Sequence, residues 1–317
     1  VPPTIAGIVL AYRGKLLAGG ILTALFIALQ IMSNHVQMSY YFLFVILFIV
    51  GAYFEDAWRN KTLPKFFKAS AVVFVAALIG VAANLSNLYH TYTYSKETMR
   101  GKSELVETGD AAKQTSSGLD RDYITNWSYG IGETWTLLVP NFKGGSSSAP
   151  LSQSETAMEK ANPVYSSLYN SFPQYFGDQP WTAGPVYVGS FVLFLFVLGC
   201  FIVKGPLKWA LLGATFFSIV LAWGKNFMPL TDFFIDYIPM YNKFRAVSSI
   251  LVIAEFTIPL LAIFALKHVL DEPGIWKKYK KAFGISLALT AGVALLLAVA
   301  PGSLGSGFVP AQETQML

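Results

Sequence analysis

Residues 184–223 read GPVYVGSFVLFLFVLGCFIVKGPLKWALLGATFFSIVLAW. Two apolar runs, 184–203 and 207–223, flank a short break that holds Lys204, with Lys208 at the start of the second run. The hydrocarbon core of a bilayer takes about 20 predominantly apolar residues per spanning helix. The stretch is therefore expected to be a pair of membrane helices joined on the side where the lysines stay wet.

The same signal recurs on both sides of this stretch. Of 317 residues, 54% are hydrophobic and 13% charged, with a mean hydropathy of +0.50. Soluble domains rarely combine so much apolar content with so little charge. Spans are predicted at 16–33, 38–54, 66–85, 184–203, 207–223, 246–266 and 282–300. The fold class is thus an all-α polytopic membrane protein of about seven transmembrane helices with one long loop. Residues up to Tyr12 read as the tail of an earlier span.

The net charge of +5 does not point to nucleic acid, because the basic residues form short clusters beside apolar segments and not one basic face. Arg13 and Lys15 precede the first span, and Arg59, Lys61, Lys65 and Lys68 follow the second. Lys204 and Lys208 lie between the fourth and fifth, and Lys267, Lys277, Lys278, Lys280 and Lys281 between the last two. With the predicted spans, every cluster falls on one side, and the positive-inside rule makes that side cytoplasmic. Four regions follow: an N-terminal membrane region over residues 1–86, an extracytoplasmic loop over 87–183, a C-terminal membrane region over 184–300 and an outer tail over 301–317. The chain opens at Val1 and stops at Leu317 just past a membrane exit, so it reads as an internal fragment. Cys200 is the single cysteine and sits in an apolar run, which excludes an intrachain disulfide framework.

The loop divides in two. It is polar through Asp122, then carries an aromatic run from Asn126 to Pro140, too short and polar to span and suited to the headgroup level. Gly144-Gly145-Ser146-Ser147-Ser148 has the composition of a mobile linker.

Several polar groups have a chemistry worth placing. Asn34, His35, Gln37 and Tyr40 crowd the short turn between the first two spans. They read either as caps for helix ends or as a hydrogen-bonding wall for a sugar or phosphate. Lys243 and Arg245 precede the sixth span on the outer side, where the charge rule gives no reason for cations. A helix N-terminus favours anions, and arginine adds a fork matched to phosphate, whereas snorkelling toward headgroups is the plain alternative. Glu255 lies ten residues beyond Arg245, which on a helix is about 15 Å deeper and near mid-membrane, with Gln30 a conceivable partner. Asp232 and Asp236, at i and i+4, share a helix face that suits a divalent cation or simply the wet side of an interfacial helix. No motif calls for another cofactor. Glu133 and Asp178 are loop acids among aromatic rings, a setting found at both sugar-stacking surfaces and interface anchors. His90 and His268 lack metal spacing, and the sequons at Asn84 and Asn126 are weak three-residue matches.

Four stretches resemble YfhO-like bacterial membrane proteins of the Bacteroidetes type. They are Asn34 to Phe42 (NHVQMSYYF), Trp127 to Glu133 (WSYGIGE), Tyr175 to Trp181 (YFGDQPW) continuing through Gly184 to Gly189 (GPVYVG), and Asn242 to Arg245 (NKFR). The resemblance implies a GT-C-like fold and a glycosyltransferase that uses a polyprenyl-phosphate sugar. Its partners would be membrane lipid, the lipid-linked donor and an envelope glycan or lipid acceptor, at the outer face of the bacterial cytoplasmic membrane. It further implies that Arg245 and Lys243 face the departing phosphate. The usual catalytic acid would lie in an earlier outer loop outside this chain, which leaves Glu133 and Asp178 as separate candidates. A transporter or flippase of lipid-linked saccharide, a surface-polysaccharide polymerase or ligase, and a purely structural subunit stay open beside that reading.

Overall fold

The computed structural model describes residues 1–98, 100–101, 118–165 and 167–304, and among these it is helical, with no β-strand. Before the loop come α1 (Pro2–Tyr12), α2 (Leu16–Met32), α3 (Val36–Arg59), α4 (Leu63–Ala82) and α5 (Leu85–Ser95). After it come α6 (Ser190–Ile202), α7 (Pro206–Ala222) and α8 (Met228–Tyr237). Last are α9 (Val252–Asp271), entered through the 3₁₀ turn Val247–Leu251, and α10 (Lys280–Val299).

Four of these are long and apolar enough to cross a bilayer: α3, α4, α9 with its entry turn, and α10. A fifth results if α7 and residues 224–237 are one span, bent by 107°. The molecule is therefore an all-helical, multi-pass membrane protein with four or five candidate spans among the described residues, where the sequence pattern predicts about seven. The shortfall has local causes. The expected span at 184–203 loses its first third, because Pro185 and a left-handed Gly189 (φ 97°) keep the chain out of the helix until Ser190. That leaves 13 residues in α6, roughly 20 Å of rise against a core of about 30 Å. α2 has 17 residues, and α7 turns away at Gly224.

The bulky side chains on the helix outsides match a lipid solvent: Leu17, Phe74, Phe216 and Leu295 are 78%, 64%, 71% and 66% exposed. The interior seam runs where α3, α7 and α9 meet, over Tyr41, Ile49, Leu211, Ala214, Ile253 and Ala254. Polar groups there are paired: Thr215 and Thr257 share a hydroxyl contact of 2.6 Å, and each hydroxyl also reaches a carbonyl four residues back in its own helix. At one end of the bundle Tyr12 stacks on Tyr53 and Phe66, at 4.8 and 5.4 Å. Arg13, Lys15, Arg59 and Lys65 flank these helix ends, which form the basic side of the molecule. The opposite end carries the long loop and forms the loop side.

On the loop side, residues 118–183 fold into short helical turns and coil packed onto the helix ends. The stretch expected to be a mobile linker is held: Gly144 bridges Tyr175, Gly145 N–H donates to Gln174 O (3.1 Å) and Ser147 N–H to Thr182 O (3.0 Å). Composition suggests freedom, and the backbone pairing removes it. Most of the polar half of the loop, 102–117, and the tail from 305 lie outside the described residues.

Candidate functional site on the loop side

Two sequence stretches separated by more than forty residues close around one carboxyl. Glu133 is 3% exposed. Its Oε1 accepts from the Tyr175 hydroxyl at 2.5 Å, and its Oε2 accepts from the amides of Gly130 (2.6 Å) and Asp178 (3.2 Å). The Gly130 and Gly177 positions need glycine, since a Cβ on Gly130 would lie 2.9 Å from Glu133 Oε2 and one on Gly177 would overlap Oε1. Burial pushes the Glu133 carboxyl up, while the Tyr175 hydroxyl and the two amides pull it back and the charge of Asp178 adds to the rise. Lys143, 7% exposed, is pushed down by burial and pulled back by Asp178 and Glu133. Burial, followed by the charge of Glu133, holds the Tyr175 phenol well above its usual range. The oxygens of Glu133 are engaged, which suits a pin between the two halves of the loop more than a proton acceptor. Asp178 is less buried; its Oδ2 accepts from Asn226 Nδ2 (3.1 Å) and its carbonyl from Lys225 Nζ (3.4 Å).

Arg245 presents the opposite situation. It is exposed, and its guanidinium lies over the rings of Tyr123 (5.6 Å) and Trp127 (5.4 Å) while Nη1 donates to the Tyr123 hydroxyl at 2.8 Å. No carboxylate lies within ion-pair distance of it among the described residues. Its backbone is fixed by Gln37, whose Nε2 donates to Arg245 O (2.7 Å) and lies 2.9 Å from the Tyr41 hydroxyl. The Tyr40 hydroxyl donates to Pro239 O (2.9 Å), and its ring lies 5.2 Å from Phe244. Gln37 and Tyr40 from the first turn of α3 thus meet the segment before α9, joining two of the sequence candidates. Gln179 links arginine and acid: its amide donates to the Tyr175 hydroxyl (3.0 Å), and its Oε1 accepts from Ser248 Oγ (3.0 Å). Ser248 N–H in turn donates to Trp127 O (3.0 Å), directly under Arg245.

Comparison with family models, curated proteins and solved structures gives no match.

The remaining candidates go to other tasks. Lys243 Nζ donates to Arg100 O (2.7 Å) and Arg100 Nε to Lys243 O (2.9 Å), so this lysine ties down the loop, with burial pushing its ammonium down. Asn34, left-handed at φ 57°, accepts from Asn87 on α5 at 3.3 Å, and His35 is the exposed residue preceding α3. Asp232 and Asp236 share a face of α8 as their spacing predicts, and the cation between them is Arg121, at 2.5 and 2.6 Å. A guanidinium fills the place suggested for a divalent ion, and no group of three metal-ligating side chains occurs among the described residues. Glu255 and Gln30 are not partners: the Gln30 amide oxygen accepts from Thr4 at 3.5 Å. Glu255 is exposed on the loop-side half of its span, close enough for its charge to add to the rise of the Tyr129 hydroxyl, which burial dominates.

Sequence pattern does not single out Tyr123, Arg121, Lys143, Tyr175 or Asn226 as site residues. The first three carry no local signal. Tyr175 and Gly177 sit inside the YFGDQPW stretch, whose glycine beside an acid is the available one.

Proposed function

We propose that the chain belongs to a membrane glycosyltransferase that moves a sugar from a polyprenyl-phosphate donor to an envelope acceptor at the loop-side surface. The observation that carries the reading is Arg245, an exposed guanidinium with no carboxylate in ion-pair reach among the described residues, oriented by Tyr123, Trp127 and Gln37 at the mouth of α9. In such a transfer the acceptor hydroxyl attacks the anomeric carbon, the bond from that carbon to the phosphate oxygen breaks, and the electron pair leaves with the phosphate. A fixed cation at that oxygen stabilises charge that develops in the transition state. Asp178 is the loop acid better placed to take the hydroxyl proton, since Glu133 is closed off by its three donors. The charge placement of the sequence supports the loop side as the outer face, and the resemblance implies a bacterial cytoplasmic membrane and a GT-C-like arrangement of about seven spans.

The test is transfer by the intact protein in proteoliposomes holding polyprenyl-phosphate sugar and envelope acceptor. Arg245→Ala is expected to lower kcat roughly a hundredfold, with Arg245→Lys in between. Turnover unchanged in Arg245→Ala removes the arginine from the mechanism. The exposed Glu255 favours a second reading, transport of a lipid-linked saccharide without bond formation. Donor consumption and a new glycosidic product in the absence of any ion gradient decide against transport, and mass spectrometry of the product separates a transferase from a polymerase or ligase.

A further inference from the structure

On the basic side, the connection between α9 and α10 is built as a fixed turn. Pro273 follows the end of α9, and Gly274, left-handed at φ 80°, leads into one helical turn, Ile275–Lys278. Ile275 is buried in the core that α6, α9 and α10 share through Leu198, Ala265 and Ala282. The Trp276 ring lies 4.7 Å from that of Phe283 in α10, and Tyr279 N–H donates to Ile275 O at 2.9 Å. This turn and the start of α10 present Lys277, Lys278, Lys280 and Lys281, all exposed, with the exposed indole of Trp276 beside them.

The charge rule accounts for basic residues in this connection but not for their setting, four lysines in five positions at the start of a helix, the end at which cations are least favourable. Lys278 Nζ lies 3.4 Å from Glu272 Oε2, and Glu272 Oε1 lies 3.3 Å from His268 Nε2, so that acid is shared already. Lys277, Lys280 and Lys281 have no carboxylate within ion-pair distance among the described residues. The basic cluster between α3 and α4 is different, since Arg59 pairs there with Glu55 and Asp56 stands next to that pair. Beyond the lysines α10 turns apolar. Lys281, Ile285 and Leu289 follow one another at i, i+4 and i+8 along one face, with Ile285 46% and Leu289 54% exposed. Beside that track Gly284 leaves a recess, because a Cβ there would meet nothing within 4 Å. A cationic head and an apolar track thus lie end to end on one helix.

We propose that this stretch binds an acidic glycerophospholipid of the leaflet on the basic side, its phosphate on Lys277, Lys280 and Lys281 and an acyl chain along Ile285 and Leu289. The inference is independent of the transferase reading. Lysines next to a membrane span attract anionic headgroups, with a strength that falls off within a Debye length. Trp276 suits the same depth, because indole rings favour the headgroup level. Ile285 and Leu289 face lipid whatever its headgroup, so the lysines decide which lipid it is. A zwitterionic lipid carries its own cation, which competes with the lysines for its phosphate, whereas an acidic lipid brings a net charge that they neutralise.

The test uses the intact protein in phosphatidylcholine nanodiscs that carry a trace of photoreactive lipid, phosphatidylglycerol in one arm and phosphatidylcholine in the other. Both probes hold the reactive group on an acyl chain, and mass spectrometry counts the label on residues 284–290. Wild type is expected to prefer phosphatidylglycerol there at least tenfold at low salt, with the preference shrinking as salt is added. Lys277→Gln, Lys280→Gln and Lys281→Gln combined should bring the two probes to within about twofold of each other. Arginine at the same three positions keeps the charge and should keep the preference, which separates loss of the site from loss of the fold. Glutamine at Lys61, Lys65 and Lys68, exposed on the same side of the molecule, should leave the preference in place. Equal labelling by the two probes in wild type overturns the proposal, since the track would then hold ordinary solvating lipid. So does a preference that survives the glutamines at 277, 280 and 281, or one lost equally with those at 61, 65 and 68, since the attraction would then belong to the whole basic side.

Discussion

Glu133 and Arg245 are two charged residues of the same loop-side surface, connected through Gln179, Ser248 and Trp127, yet their surroundings are opposite. Glu133 is 3% exposed with three donors on its carboxylate, so its charge is consumed in holding WSYGIGE against YFGDQPW. Arg245 is exposed, aligned by rings and a phenol, and faces no carboxylate among the described residues. A charge whose bonds are satisfied internally builds the scaffold, and one that is oriented but not neutralised is available to a ligand. The contrast explains why the loop acids, equivalent in sequence, are not equivalent in space.

The strongest way to break the contrast is to remove the pin. Glu133→Ala leaves the Tyr175 hydroxyl and the Gly130 and Asp178 amides without their acceptor, at about 1–3 kcal/mol for each group that stays buried. The expected loss is about 3–5 kcal/mol of local stability. Hydrogen exchange at the amides of residues 127–133 and 175–181 reads it directly. Unchanged protection there would mean that the carboxyl is not what joins the two stretches. Glu133→Gln keeps the shape and an acceptor for the amides, and should cost only about 1 kcal/mol.

The sequence makes one half of this picture legible. Apolar runs and the one-sided basic clusters identify the helices, because lipid leaves the backbone no alternative to internal hydrogen bonds. They predict more spans than the four or five candidates among the described residues, since hydropathy does not register that Gly189 turns left-handed or that the chain bends at Gly224. The site is harder to read. Glu133 meets Tyr175 across 42 positions and Arg121 meets Asp232 across 111, and no periodicity encodes such meetings. What can be read is chemistry out of place: cations on the side where the charge rule gives none, and glycines set beside acids. Those two anomalies are Arg245 and the Glu133 pocket.

A second break is at Arg121, the clamp that joins the loop to α8 through Asp232 and Asp236. The aspartates are 43% and 44% exposed, so solvent screens the pairs and the expected cost of Arg121→Ala is about 1–2 kcal/mol, falling with added salt. Thermal unfolding in low and high salt reads it, with α8 protection from exchange as the local signal. An Arg121→Ala loss independent of salt would assign the effect to packing.

The pH dependence of the Glu133 pocket sharpens the comparison without removing atoms. Its folded carboxyl binds a proton more tightly than the unfolded one does, because burial outweighs the donors. A group with a raised folded pKa loses stability as pH rises from the ordinary carboxylate value through the folded one, and adds no further slope above it. Loop protection in wild type relative to Glu133→Gln is therefore expected to improve on acidification from neutral pH through that window. A relative loss on acidification would show that the donors dominate and that the ionised form is the favoured one.

The smallest expected effect concerns how Arg245 is held. Gln37 grips its carbonyl at 2.7 Å, and the guanidinium keeps Tyr123 and Trp127 whether or not Gln37 is present. Gln37→Ala should therefore loosen the backbone and leave the charge in place. Because the phosphate still meets a guanidinium, binding of the polyprenyl-phosphate donor is expected to weaken about two- to fivefold, well short of Arg245→Ala. Gln37→Glu is the sharper variant. It removes the donor to Arg245 O and brings a carboxylate near a guanidinium that has none within reach among the described residues. If availability of that charge is what matters, Gln37→Glu weakens donor binding more than Gln37→Ala does, although the alanine removes more atoms. Equal effects of the two would mean that Gln37 acts only by positioning the arginine.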